Sequence, residues 1–189
     1  MRREKTMKKI LIISTSPRKG GNSDTLAEEF AKGALEAGHE VEKVELYNKA
    51  VGFCRGCLAC QKTKRCVIHD DADTIAQKMR GADVLVFATP IYYYEMCGQM
   101  KTMLDRSNPL YLSDYAFRNI YLLAAAADSD PSAIDGAVKG LEGWIACFEK
   151  ARLAGMVFAG GVDAAGAVQG HKALREAHDL GRNVSMEAV

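Results

Sequence analysis

Two short runs of the chain, Lys8–Ser14 and Asp83–Ala88, carry unbroken apolar stretches, Ile10–Ile13 and Val84–Ala88. A strand with one wet face alternates apolar and polar residues, whereas a strand covered on both faces does not. Runs of this kind predict parallel strands in the middle of a sheet, with helices packed above and below it. The segments between them supply those helices. From about Asp24 to Ala37, Leu26, Phe30, Ala34 and Leu35 recur at helical spacing, and Gly38 stops the pattern. Val41–Leu46 alternates apolar and charged residues, as a strand nearer the sheet edge does. Asp70 or Asp71 is placed to cap a helix over residues 72–80. Thr89-Pro90 is read as the end of the second apolar run. Met96–Asp105 then reads as a helix, Asn119–Ala126 as a strand and Pro131–Lys150 as a long helix. Leu153–Ala159 is the last strand, ended by Gly160-Gly161, and a helix from about Gly170 to Arg182 follows. Strand–helix alternation repeated five times predicts a parallel sheet covered on both faces, in one domain spanning 1–189.

Charge and hydropathy exclude some partners. The formal net charge is +1, so bulk charge steers the chain toward neither nucleic acid nor a membrane surface. No apolar run approaches the roughly 20 residues needed to cross a bilayer. The basic start, Met1–Lys9, is followed by too short an apolar stretch for a secretion signal, and Met7 can serve as an alternative start. The expected location is the cytoplasm, where the six cysteines stay reduced.

In a parallel α/β sheet, ligands bind beyond the carboxyl ends of the strands, where strand order reverses. The first such loop runs from Ser14 to Thr25 and leads into a helix N-terminus, whose N–H groups and dipole attract an anion. Ser16, Ser23, Thr25 and the Asn22 amide offer hydrogen bonds to phosphate, and Arg18 offers charge. The loop lacks the glycine pattern of a dinucleotide site and the Gly-Lys-Ser/Thr of a triphosphate site, so a terminal monophosphate suits it best. An ordinary capped turn is the alternative. In the loop after the second apolar run, Tyr92, Tyr93 and Tyr94 are consecutive and cannot all face a core. They suit stacking on a planar ligand or a subunit interface.

Ser16-Pro17-Arg18-x-x-Gly21-Asn22-Ser23-x-x-Leu26, Thr89-Pro90-Ile91-Tyr92 and Lys101-x-x-x-Asp105-Arg106 fall in order, two of them directly after buried strands. Together they resemble the NAD(P)H-dependent FMN reductase family. The cysteine segment, with Asp70-Asp71 behind it, is similar to the iron–sulfur flavoprotein branch. The resemblance spans nearly the whole chain. It implies a flavodoxin-like three-layer sandwich with five parallel strands in the order 2-1-3-4-5. It implies FMN held at its phosphate by Ser16, Arg18, Asn22, Ser23 and Thr25. Pro90, Ile91, Tyr92, Tyr93 and Tyr94 would line the isoalloxazine, with Ala126 and Asp128 at its border. Lys101, Asp105 and Arg106 read as a packing and salt-bridge feature, and no catalytic acid or base is nominated.

Cys54-x2-Cys57-x2-Cys60-x5-Cys66 has a compact spacing suited to a [4Fe–4S] cluster, with Arg55, Lys62, Lys64 and Arg65 around it. Zinc and a metal-free loop of reduced thiols stay open as alternatives. Cys97 and Cys147 are expected as small core residues within helices. His171 and His178 lack a third ligand and read as a solvated helix face, and Trp144 reads as core or interface. The function expected is NAD(P)H oxidation through FMN, with a quinone, free flavin or other small oxidant as acceptor. The alternatives are an FMN/[4Fe–4S] electron shuttle to a ferredoxin-like protein, and a non-catalytic binding protein. A homo-oligomer, dimer or tetramer, is expected.

Overall fold

A computed structural model describes residues 7–184. Arg2–Thr6, bypassed by the alternative start at Met7, lie outside them, as does the last part of the expected 1–189 domain.

Strand β1 (Lys9–Ser14) pairs with β2 (Glu40–Glu45), the edge strand, on one side and with β3 (Val84–Tyr92), the central strand, on the other. Beyond β3 come β5 (Asn119–Ala125) and β6 (Arg152–Ala159), all parallel, in the order β2-β1-β3-β5-β6. The two-residue strand β4 (Glu95–Met96) pairs antiparallel with the end of β3 and makes six strands, one more than expected. With β4 set aside, the order is the one the flavodoxin-like resemblance implied.

The apolar runs work as their lack of alternation predicts. Ile10 and Ile12 face one layer while Leu11 and Ile13 face the other, and each is at most 2% exposed. One layer holds α1 (Asn22–Glu36) and α6 (Lys172–Arg182); the other holds α3 (Asp71–Gly81), α4 (Gly98–Arg106) and α5 (Asp135–Ile145). A short α2 (Ala59–Thr63) lies within the cysteine segment. Helices α1 and α6 touch backbone to backbone: a Cβ on Gly33 would meet the His178 carbonyl, and one on Gly181 that of Phe30. A side chain at either position would drive the two helices apart.

Several expectations are corrected. β3 does not stop at Thr89-Pro90 but runs on to Tyr92. β1 pairs with β3 only as far as Ala88, so beyond it one side of β3 has no neighbour in the ladder, and Pro90 removes no bond there. The long helix over 131–150 is instead a capped 3₁₀ turn, Pro131–Ile134, followed by α5, which ends at Ile145. Phe148 turns back into an aromatic cluster with Phe117, Tyr115 and Trp144, ring centroids 4.6–5.2 Å away. Cys147 is therefore outside any helix and exposed rather than a core residue. Cys97 is buried as expected, but at the N-cap of α4. Leu35 lies on the solvent side of α1. Trp144 packs on Phe87 and donates to Ser107 Oγ at 2.9 Å, a core role. His171 caps α6 by accepting from the Ala173 N–H, so it does not share a helix face with His178.

Candidate functional site

At the carboxyl ends of β1 and β3 the chain is pinned before it opens into loops. Thr15 donates its N–H and its hydroxyl to the Ala88 carbonyl, at 2.8 and 2.9 Å. Cys97 N–H donates to Thr89 Oγ1, which ties the start of α4 to the same place. Above these contacts the β1–α1 loop folds on itself: Ser16 Oγ donates to the Arg18 carbonyl and accepts the Arg18 N–H. Gly21, the N-cap of α1, has no side chain to cap the helix, and a Cβ there would lie 2.6 Å from Ser16 Oγ. The first turn of α1 thus faces a cleft with its helix dipole uncapped by any side chain. Ser23 also lines that cleft; it is 1% exposed, and its hydroxyl has no partner. A buried polar atom without a partner is costly unless a ligand completes it.

The cleft holds about 610 Å³ of space open to solvent. Ser16, Arg18, Gly21, Asn22 and Ser23 form one wall, Pro90, Ile91 and Tyr92 the second, and Ala125, Ala126 and Ala127 the third. Of the residues picked from sequence, Ser16, Arg18, Asn22, Ser23, Pro90, Ile91, Tyr92 and Ala126 come together here. Thr25 turns inward and donates to the Gly21 carbonyl. The Asn22 amide faces the β6–α6 loop, donating to the Val162 and Ala164 carbonyls, while its oxygen accepts the Val168 N–H. That clamp brings Val162, Asp163 and Ala165 to the cleft, where sequence reasoning had named only the preceding Gly160-Gly161.

Tyr93 and Tyr94 sit beside the cleft rather than in its wall, as the two central residues of the β3–β4 hairpin. Both are left-handed, with φ of 51° and 64°, in a turn that asparagine and glycine usually occupy. Tyr93 is fully exposed. Tyr94 donates its hydroxyl to Asp128 at 3.1 Å, and that bond to a carboxylate raises its pKa. Asp128 thus anchors the hairpin rather than lining the cleft. The one acid in the first turn of α1, Asp24, is paired with Lys43 at 3.1 Å. Burial disfavours the Lys43 ammonium, but Glu45 and Asp24 outweigh it and raise its pKa.

A second, smaller pocket, with about 340 Å³ of space open to solvent, lies on the α3–α4 side, and Cys54, Cys57, Cys60 and Cys66 all line it. Three of the four sulfurs accept an N–H: Cys54 from Gly56 at 3.4 Å, Cys60 from Asn108 Nδ2 at 3.2 Å, and Cys66 from Ile68 at 3.5 Å. Among the described residues no group of three acidic, cysteine or histidine side chains converges on a single ion. The four cysteines therefore share one pocket without their sulfurs meeting at a common ion.

The cavity is closed from below by Arg106, the last residue of α4, whose side chain is wholly buried. Arg106 donates to both Asp70 oxygens at 2.7 Å, to the Gly52 carbonyl at 2.7 Å and to the Ile68 carbonyl at 3.1 Å. Burial works against the Asp70 carboxylate, but Arg106 and the Gly52 N–H outweigh it and lower its pKa. Asp73 likewise holds Arg65 and the Cys66 N–H. Lys101 pairs with Asp105 at 2.7 Å on the surface. The expected packing and salt-bridge role of the Lys101–Arg106 motif is what the contacts show.

Solved structures with this fold include an NAD(P)H:quinone oxidoreductase from Methanothermobacter marburgensis. It has a TM-score of 0.73 and 16% identity, over 97% of this chain and all of that one. An azoreductase from Bacillus anthracis has a TM-score of 0.70 and 19% identity, over 93% of this chain and 99% of that one. In sequence, an iron–sulfur flavoprotein of Methanosarcina thermophila is 40% identical over 111 residues, 59% of this chain and 58% of that protein. One from Methanocaldococcus jannaschii is 38% identical over 102 residues, 54% and 53% of the two chains. The chain thus spans about half the length of the curated relatives it matches. With residues 8–165 matching its pattern from β1 to beyond β6, the chain belongs to the NADPH-dependent FMN reductase family.

Proposed function

We propose that this chain is a single-domain FMN-dependent oxidoreductase that draws electrons from NAD(P)H and delivers them to a small-molecule acceptor such as a quinone or free flavin. The observation that carries this reading is the buried Ser23 hydroxyl, unpartnered at the uncapped start of α1 and facing the cleft. A phosphate there would accept the Ser23 hydroxyl and the first N–H groups of α1, with the Arg18 charge beside it. Bound FMN supplies hydride acceptance from a nicotinamide and onward electron delivery. Pro90, Ile91 and Tyr92 offer one edge for the isoalloxazine, and the small Ala125–Ala127 segment leaves room for the ring. Tyr93 and Tyr94, at the mouth, suit the approach of a planar donor or acceptor. Thr25 and Asn22 support the phosphate loop from behind.

Tyrosines 92–94 and the exposed Phe53 and Leu112 favour a homo-oligomer. Six unpaired cysteines favour a reducing compartment, the cytoplasm. Among the described residues no helix is long and apolar enough to cross a membrane.

The test is an absorption spectrum of protein purified without air, followed by FMN titration and iron and zinc analysis. Flavin bands that bleach on adding NADPH or NADH are expected. Colourless protein that does not bind added FMN overturns the proposal.

A second reading is favoured by the four cysteines that share one cavity. Cys54, Cys57, Cys60 and Cys66 would hold a [4Fe–4S] cluster, which supplies one-electron exchange with a ferredoxin-like protein. About four irons per chain would support it; zinc or no metal would reject it.

A further inference from the structure

Arg106 has one donor that the fold does not use. Its four terminal N–H groups go to Asp70, Gly52 and Ile68, yet its Nε is buried without a hydrogen-bond partner. Arg106 also lines the cysteine cavity. Its pKa is raised first by Asp70, against burial, and then by the nearby Cys66 sulfur. Gly52 precedes the cysteine segment and Ile68 and Asp70 follow it, so one guanidinium holds both ends of the loop. Asp70 strengthens the closure by accepting the Gly52 N–H at 2.8 Å and capping α3 through Ala72.

We propose that Arg106 is a positioning residue for the cysteine cavity: it clasps the ends of the loop and donates its Nε–H to the Cys66 sulfur when the iron–sulfur group is bound. This rests on the cluster reading above. A guanidinium suits the task because its five donors are fixed in one plane, so the four terminal bonds orient the fifth. A lysine keeps the charge but lacks that fifth donor. Hydrogen bonds to cluster sulfurs and net charge near them set the reduction potential, because both favour the more negative, reduced state. Arg106 adds an N–H and a positive charge at Cys66, where the other contact is the long bond from Ile68.

The experiment compares wild type, Arg106→Lys, Asp70→Asn and the double variant Arg106→Met/Asp70→Asn, which strands no buried carboxylate. Amide exchange at Gly52 is measured on iron-free protein. Each protein is then reconstituted anaerobically with ferrous iron and sulfide, and its cluster potential and EPR spectrum are recorded. Asp70→Asn is expected to speed Gly52 exchange and raise the potential, since a negative charge is removed. Arg106→Lys and the double variant are expected to lower the potential and alter the EPR signal. A merely structural clasp would loosen the loop in all three without ordering the potentials by sign. Wild-type potentials and spectra in both Arg106 variants overturn the proposal. Wild-type protein that takes up no iron overturns the cluster reading beneath it, and Gly52 exchange, measured before iron is added, still reports the clasp.

Discussion

The loop after β1 is held by the middle of the sheet: Thr15 is bonded to β3, Ser16 is fixed within the turn, and Asn22 is clamped to the β6–α6 loop. The cysteine segment is held by side chains. Arg106 and Asp70 close its two ends, Asp73 takes Arg65 and the Cys66 N–H, and Asn108 reaches Cys60. Within that segment Leu58 and Lys64 flank α2 in the left-handed conformation, each costing about 1–2 kcal/mol. Phe53, Cys54, Cys57 and Leu58 are exposed. The first loop is therefore a by-product of the fold, shaped before any ligand arrives. The second depends on side-chain contacts, above all on the Arg106–Asp70 ion pair.

Breaking that ion pair should produce the largest effect. Asp70→Ala leaves the Arg106 charge buried and uncompensated, and is expected to lower unfolding free energy by about 3–5 kcal/mol in a urea titration. FMN affinity of the molecules that stay folded should not change. An equal loss of FMN affinity would show that the two regions form one cooperative unit.

Ser23→Ala tests the other side. It removes a hydrogen bond to a charged group, worth about 1.5–3 kcal/mol, so the Kd for FMN should rise roughly 10- to 150-fold by fluorescence titration. The flavin-free protein should lose no stability, because the hydroxyl removed has no partner. A stability loss without an affinity loss would make Ser23 part of the scaffold.

Acid tests the closure of the cysteine segment. Asp70 has a lowered pKa in the folded state, so its contribution is full above the unfolded value of about 3.9 and fades as pH falls through the folded value. Acid unfolding of wild type is expected to be steeper below about pH 4 than that of Asp70→Asn. Identical acid limbs would remove Asp70 from the account.

The smallest effect is expected at Cys147, which lines a groove with Cys54 but is exposed and accounts for none of the four-cysteine cavity. Cys147→Ser should change stability by less than about 0.5 kcal/mol and leave iron content unaltered. A loss of iron would redraw the ligand set.

The contrast also explains what the sequence made legible. Buried strands and the hydroxyl-rich loop are local patterns, so Ser16, Ser23, Pro90 and Tyr92 could be picked from the sequence as residues that line one cleft. β3's passage through Pro90 was not local: it follows from β1 stopping at Ala88, a fact of pairing. The early end of α5 depends on Phe148 finding Phe117, 31 residues earlier in the chain. Val162, Asp163 and Ala165 join the cleft only because Asn22 reaches them. Arg106 read correctly as a salt-bridge residue, but its burial beneath the cysteines depends on Asp70 and Gly52, far off in sequence.

The Asn22 clamp has a consequence for synthesis. Asn22 emerges from the ribosome early, yet its partners Val162 and Ala164 lie 140 and 142 residues later. At roughly 5–20 residues per second, the β1–α1 loop waits about 7–28 s for them. Helix α1 waits longer still, because α6, which meets it at Gly33 and Gly181, is made last of the described helices. A nascent chain therefore carries its β1–α1 loop unclamped until Val162 and Ala164 have been made.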